Sequence, residues 1–189
     1  MKANDIQTAR PVFLLGYMAS GKTTLGRALA AAAGRRFVDL DEYIEDKAGK
    51  TVNRIFAEDG EPAFRRLEAE ALAELADYSG DDGLIVACGG GTPCFGGNME
   101  LMNSKGLTVR LVTSEKVIIR RLVAERSSRP LVARLSAGGE LERYVSENMV
   151  RREAYYSRAA ASFDSSRLES EAEVTQSVKL FIDKFLQQK

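Results

Sequence analysis

The sequence predicts an α/β fold: a parallel sheet covered on both faces by helices. Two observations carry this. Short apolar runs alternate with segments of helical periodicity, and the first run ends in a glycine-rich loop that opens a helix. Parallel strands need crossover connections, and helical crossovers pack onto the two faces of the sheet.

The first strand, residues 12–15, ends in Gly16, and Leu25, Leu29 and Ala32 then recur at helical spacing as a buried stripe. Further strands are predicted over 37–40, 84–88 and 107–112, each separated from the next by helical sequence. Ala69, Leu72, Leu75 and Ala76 form the apolar stripe of a helix that Gly60, Glu61 and Pro62 open, since proline is tolerated in a first turn. Ser114 before Glu115 marks another helix start, and Val174, Val178, Phe181 and Phe185 mark a closing amphipathic helix. At 189 residues the chain fits one domain, 1–189. Segment 125–139, ERSSRPLVARLSAGG, breaks the pattern and reads as a mobile loop; an ordinary exposed connection explains its composition equally well, but connections of this length are more often functional or disordered than idle.

Composition narrows the function. Apolar residues make up 44% and charged residues 29%, an ordinary globular balance. The polar N-terminus carries no signal-peptide core, so a cytoplasmic protein is expected. With 27 basic against 27 acidic residues, no overall field would hold the chain on nucleic acid or an anionic membrane. Cys88 and Cys94 fit neither a disulfide framework nor a zinc spacing and are expected as free thiols. Histidine is absent, so carboxylates, Lys, Arg and backbone must do any chemistry.

Gly16-Tyr-Met-Ala-Ser-Gly21-Lys22-Thr23 matches G-x-x-x-x-G-K-[ST] between a predicted strand and helix, the context that such a phosphate loop requires. Its glycines let successive N–H groups face one anion-sized hollow at a helix N-terminus. Lys22 would reach the β- and γ-phosphates of ATP, and Thr23 would offer its hydroxyl to Mg²⁺. Gly16, Ala19, Ser20, Gly21, Lys22, Thr23 and Thr24 are the expected nucleotide-binding residues.

Asp39 and Asp41 end the second predicted strand, where alternation would turn both carboxylates into one crevice. Helix capping by Asp39, three residues before Glu42, explains that residue equally well. Gly89-Gly90-Gly91 follows the third strand and either admits a ligand to the backbone or makes a tight turn. Arg65 and Glu68, one turn apart, are expected to form a weak surface pair.

Taken in order, these motifs resemble the shikimate kinase family from about residue 12 to about residue 166. The resemblance rests on GYMASGKT, Asp39-Leu40-Asp41, IFAEDGEPAFRRLE over 55–68, Gly89 to Gly91, Arg129-Pro130-Leu131, and Arg152 followed by Tyr156. It implies a three-layer α/β/α P-loop kinase fold with a five-stranded parallel sheet and a mobile lid at about 125–139. It implies phosphorylation of a shikimate hydroxyl by Mg-ATP to give shikimate 3-phosphate, in the pathway to aromatic amino acids, by a monomer.

By the same resemblance, Lys22, Asp41 and Arg129 are catalytic, and Thr23 with Asp39 holds the metal. Asp41, Arg65, Gly89, Gly90, Gly91 and Arg152 bind shikimate, and Arg129 on the lid also reaches the nucleotide. The spacing to Tyr156 selects Arg152 over Arg151. Lid residues 126–128 are shorter than the family's basic stretch, which leaves the adenine-side arginine open among Arg120, Arg121 and Arg126. Proline and leucine, usual before the tyrosine, are absent here.

Physical chemistry supports the assignment. An anionic ring needs arginine forks for its carboxylate, and phosphoryl transfer needs positioning and charge neutralisation more than covalent help. A carboxylate of ordinary pKa is a weak base, so Asp41 is expected to orient the hydroxyl more than to deprotonate it. The alternatives are a kinase for another small polyol acid such as gluconate or for a nucleotide, and a nucleotide-binding module without acceptor. Two D-x-x-G matches, at Asp46 and Asp77, fit a GTPase pattern, but no N-K-x-D motif accompanies them, so they are read as chance.

Overall fold

The computed structural model describes residues 10–125, 132, 135 and 139–186. One sheet holds five strands: β1 (Val12–Leu15), β2 (Arg36–Asp39), β3 (Leu84–Ala87), β4 (Leu107–Val112) and β5 (Ala161–Asp164). Their order is β2-β3-β1-β4-β5, and every pairing is parallel. Among the described residues eight α-helices flank it. They are α1 (Lys22–Ala33), α2 (Leu40–Ala48), α3 (Val52–Glu58), α4 (Gly60–Ala76), α5 (Asn98–Lys105), α6 (Glu115–Ala124), α7 (Glu140–Tyr156) and α8 (Glu171–Phe185).

Alternation along β1 builds the layers. Phe13 and Leu15 enter one core with Leu40, Phe64, Leu72 and Val86, while Val12 and Leu14 enter the other with Leu25, Leu29, Ile85 and Phe181. Burial on both faces is why the strand reads as an unbroken apolar run. A third cluster joins Tyr17, just after β1, to Ile118 and Leu122 of α6 and to Val145 and Tyr156 of α7.

Several boundaries differ from the sequence expectation. The strand expected over 37–40 stops at Asp39, because Asp39 caps α2 and Leu40 already belongs to that helix. The strand expected over 84–88 stops at Ala87. Ala32 is exposed; Gly26 and Ala30 join Leu25 and Leu29 on the inner face of α1, and a Cβ on Gly26 would come within 2.5 Å of the Phe37 ring. Helix α4 does open at Gly60, with Asp59 alone between it and α3.

The topology sets the site. From β1 the chain runs to β2 and β3 on one side, then crosses to β4 and β5 on the other, so connections diverge around β1. Ligands of open α/β sheets bind beyond the carboxyl ends of the strands at such a switch point. Leu14 of β1 and Asp39 of β2 both align with Ala87 of β3, so the loops that follow these strands emerge at one level.

Candidate active site

Residues 16–23 leave β1 and wrap the N-terminus of α1. Gly16 has φ 144°, and a Cβ there would lie 2.8 Å from Ser20 Oγ and 2.9 Å from the Leu111 carbonyl. Ala19 has φ 59°, the single positive φ outside glycine among the described residues, so the loop carries local strain of the kind that gathers at ligand sites. Lys22 Nζ folds across the loop and donates to the carbonyls of Gly16 and Tyr17, both at 2.9 Å. The first amides of α1 lack acceptors within the helix, and its dipole favours an anion at this end.

Thr23, one residue into α1, donates its hydroxyl to Asp39 Oδ2 at 2.7 Å. Asp39 Oδ1 meanwhile accepts from the amide of Asp41 at 3.1 Å, which caps α2. Capping and site membership, read as alternatives in the sequence, are therefore one arrangement. Strand alternation is not what brings the two carboxylates together: Asp41 lies on the first turn of α2, and both residues line one cleft of about 430 Å³ with Lys22, Thr23, Thr24 and Gly89.

Burial pushes the Asp41 carboxyl up to about 6, reinforced by the negative charges of Asp39 and Glu68 and opposed by Lys22. Asp41 is thus a stronger base than an ordinary carboxylate and is still ionised at neutral pH.

Arg65 and Arg152 converge on the glycine turn after β3 from α4 and α7. Arg152 Nη1 donates to the Gly90 carbonyl at 3.1 Å, and Tyr156 Oη donates to the same oxygen at 2.6 Å. Arg65 Nη1 donates to Glu68 Oε2 at 2.8 Å, while its Nη2 and Nε reach Glu61 Oε1 at 3.0 and 3.2 Å. The pair with Glu68 is not the expected surface contact: Glu68 is 1% exposed and also accepts from Thr92 Oγ1 at 2.6 Å.

Each glycine of the turn makes room for a different group. A Cβ on Gly89 would lie 3.0 Å from Asp41 Oδ1, one on Gly90 3.2 Å from Arg152 Nη1, and one on Gly91 3.0 Å from Arg65 Nη2.

The structure therefore brings Lys22, Thr23, Thr24, Asp39, Asp41, Arg65, Arg152 and the three glycines to one end of the sheet. Arg129, Arg126 and most of segment 125–139 lie outside the described residues. Of the other adenine-side candidates, Arg121 lines the cleft and donates to the Ala19 carbonyl at 3.1 Å and to Glu169 at 2.8 Å. Arg120 is an exposed partner of Glu169. Sequence reasoning missed Thr92 and Glu169, and no local pattern marks either. The buried hydroxyl of Ser20 has no partner among the described residues. Both cysteines are free, as expected, and burial raises both thiols above their ordinary pKa. A larger groove, about 570 Å³, lies between β5 and α8 and contains none of the predicted site residues.

A family model described as shikimate kinase matches residues 18–183. The shikimate kinase of Parabacteroides distasonis is 42% identical over 163 residues, covering 86% of this chain and 92% of that protein. That of Phocaeicola vulgatus is 42% identical over 167 residues, covering 88% and 93%. Among solved structures, shikimate kinase from Bacteroides thetaiotaomicron superposes with a TM-score of 0.84 at 36% identity, covering 93% of this chain and 97% of that one. Shikimate kinase from Acinetobacter baumannii, solved in complex with shikimate, gives a TM-score of 0.79 at 29% identity over the full length of both chains.

Proposed function

The chain belongs to the shikimate kinase family, and from that premise we propose how this ATP-dependent kinase phosphorylates a hydroxyl of shikimate, giving shikimate 3-phosphate. The supporting observation is the meeting of three parts at one end of the sheet. These are a phosphate loop carrying Lys22, the buried carboxylate of Asp41, and two arginines packed on consecutive glycines.

The loop amides and Lys22 would bind the phosphates, with Lys22 exchanging its two carbonyl acceptors for β- and γ-phosphate oxygens. Thr23 and Asp39 fit Mg²⁺, since both are hard oxygen donors and two protein groups suffice for an ion that completes its shell with phosphate oxygens and water. Once bound, the ion would neutralise charge on the transferring phosphoryl group. Arg65 and Arg152 would clamp the shikimate carboxylate, and the Gly89–Gly91 turn would let the ring approach the backbone. Asp41, ionised at neutral pH, would accept the hydrogen of the attacking hydroxyl. Arg121 would face the adenine side, and Arg129, from the lid, would reach the phosphates.

The reading includes a single domain working as a monomer in the cytoplasm, where ATP is made. Among the described residues no helix is long and apolar enough to cross a membrane.

The test is ADP release by the purified protein with ATP and Mg²⁺, comparing shikimate, gluconate, a nucleoside-monophosphate mixture and no acceptor. Shikimate alone should stimulate release. Equal stimulation by gluconate would move the arginine clamp to another acid, and acceptor-independent turnover would revive a module that hydrolyses ATP without an acceptor.

A further inference from the structure

The two guanidinium groups assigned above to the acid share a mode of support. Arg65 Cζ lies 3.9 Å from the ring centroid of Phe95, beside the space that Gly91 leaves. Arg152 Cζ lies 5.4 Å from the ring centroid of Tyr17, beside the space that Gly90 leaves. Each cation therefore meets a glycine and an aromatic ring, and Arg65 lies in addition 5.2 Å from the ring centroid of the buried Phe64.

Phe95 is the more informative of the two rings. It is 40% exposed and stands outside the three core clusters, so core burial does not account for its position. The loop that carries it is nevertheless pinned. Asn98, buried at the start of α5, donates its amide N–H to the Phe95 carbonyl and its Nδ2 to the Thr92 carbonyl, both at 3.0 Å. Thr92 in turn binds Glu68, the buried partner of Arg65. Ring and guanidinium thus hang on one hydrogen-bonded frame.

A long, flexible cation loses rotamer freedom when it grips a ligand, and a ring already stacked on its face removes part of that loss beforehand. Stacking also leaves the N–H groups at the guanidinium edge directed in its plane, where a carboxylate is bound by a fork.

We propose that Phe95, and Tyr17 in parallel, are positioning residues that hold Arg65 and Arg152 in the orientation that captures the carboxylate of the acceptor. The inference rests on the assignment of those two arginines to the acid.

The experiment compares full-length Phe95→Leu, Phe95→Tyr, Tyr17→Leu, Tyr17→Phe and Arg65→Ala. It measures KM for shikimate and for ATP, and the shikimate Kd by calorimetry without nucleotide. Phe95→Leu should raise the shikimate KM and Kd about three- to tenfold, the scale of a cation–π contact. The KM for ATP should stay within about twofold. Phe95→Tyr, which keeps the ring, should restore both shikimate constants. Tyr17→Leu should raise the shikimate KM and Kd as Phe95→Leu does, and Tyr17→Phe, which keeps the ring, should restore the shikimate Kd. Because Tyr17 is buried and its loss can unfold the chain, the exposed Phe95 decides the matter.

The inference is overturned if Phe95→Leu leaves the shikimate KM within about twofold of wild type while Arg65→Ala raises it about tenfold or more. It is equally overturned if Phe95→Leu raises both KM values alike, the mark of a structural defect. If Arg65→Ala itself leaves the shikimate KM unmoved, the assignment of that arginine fails first and takes the inference with it.

Discussion

The Thr23 hydroxyl donates to Asp39 Oδ2 at 2.7 Å while Asp39 Oδ1 accepts from the Asp41 amide, so one carboxylate both starts a helix and faces the phosphate loop. The two duties separate by mutation. Asn is as good an N-cap as Asp but carries no charge. Asp39→Asn should keep thermal stability while raising the Mg²⁺ concentration needed for half-maximal activity by about tenfold or more. Asp39→Ala should show the same Mg²⁺ defect and also lose about 1 kcal/mol of stability. Urea titration beside Mg²⁺ titration checks both, and an unchanged Mg²⁺ requirement would leave Asp39 with capping alone.

Asp41 supplies a pH signature. Its carboxyl is pushed up to about 6 in the folded chain from an ordinary 3.8, because burial and neighbouring carboxylates disfavour the charge. The folded state therefore binds the proton more tightly, and stability falls as pH rises from about 4 to about 6, then stays lower above that. A separation of this size corresponds to about 3 kcal/mol. Asp41→Asn should accordingly be more stable than wild type at pH 7, and the difference should vanish below about pH 4. Catalysis runs the other way: kcat/KM for shikimate should fall about tenfold per pH unit below 6, and Asp41→Asn should be nearly inactive at every pH. Denaturation curves and rate profiles over pH 4 to 8 report the two effects separately.

Lys22 spans the phosphate loop between the Gly16 and Tyr17 carbonyls. Lys22→Ala should lower turnover by about a thousandfold or more, since the transferring phosphoryl group would lose its main cation. The loop backbone is held by Ser20 N to Tyr17 O and by the α1 turns, so the melting temperature should change little. Turnover near wild type would remove Lys22 from the phosphate site.

Glu68 is a buried charge satisfied by Arg65 and Thr92. Glu68→Ala strips both partners at once and should cost about 3 kcal/mol of stability. It should also raise the shikimate KM, because of the two carboxylates that hold Arg65 only the exposed Glu61 would remain. Thr92→Val removes one neutral donor and should have the smaller effect on both, as measured by urea titration and initial rates.

Much of this architecture is legible in the linear chain, for identifiable reasons. The strands over 12–15 and 107–112 fall where expected because their apolar residues are local and unambiguous. The phosphate loop is carried by residue type at fixed spacing. Strand β5 does not stand out in the sequence because its large apolar residue, Phe163, sits between Ser162 and Asp164, with no adjacent pair such as Phe37-Val38 in β2. At Leu40 the apolar pattern continued past the strand, and the cap made by Asp39 overrode it. Glu68 looked like half of a surface pair because i,i+3 spacing says nothing about what covers the pair. The elevated Asp41 carboxyl depends on burial, and on charges from β2 and α4, that only the fold assembles.

The turn after β3 has a metrical consequence. Arg152 abuts Gly90 and Arg65 abuts Gly91, so the two cations meet on adjacent residues of one turn, whose Cα atoms a single peptide unit holds about 3.8 Å apart. Side chains can swing and helices can settle, but that length is covalent. Two guanidinium groups from distant helices thus share one covalent footing, the peptide that joins Gly90 to Gly91.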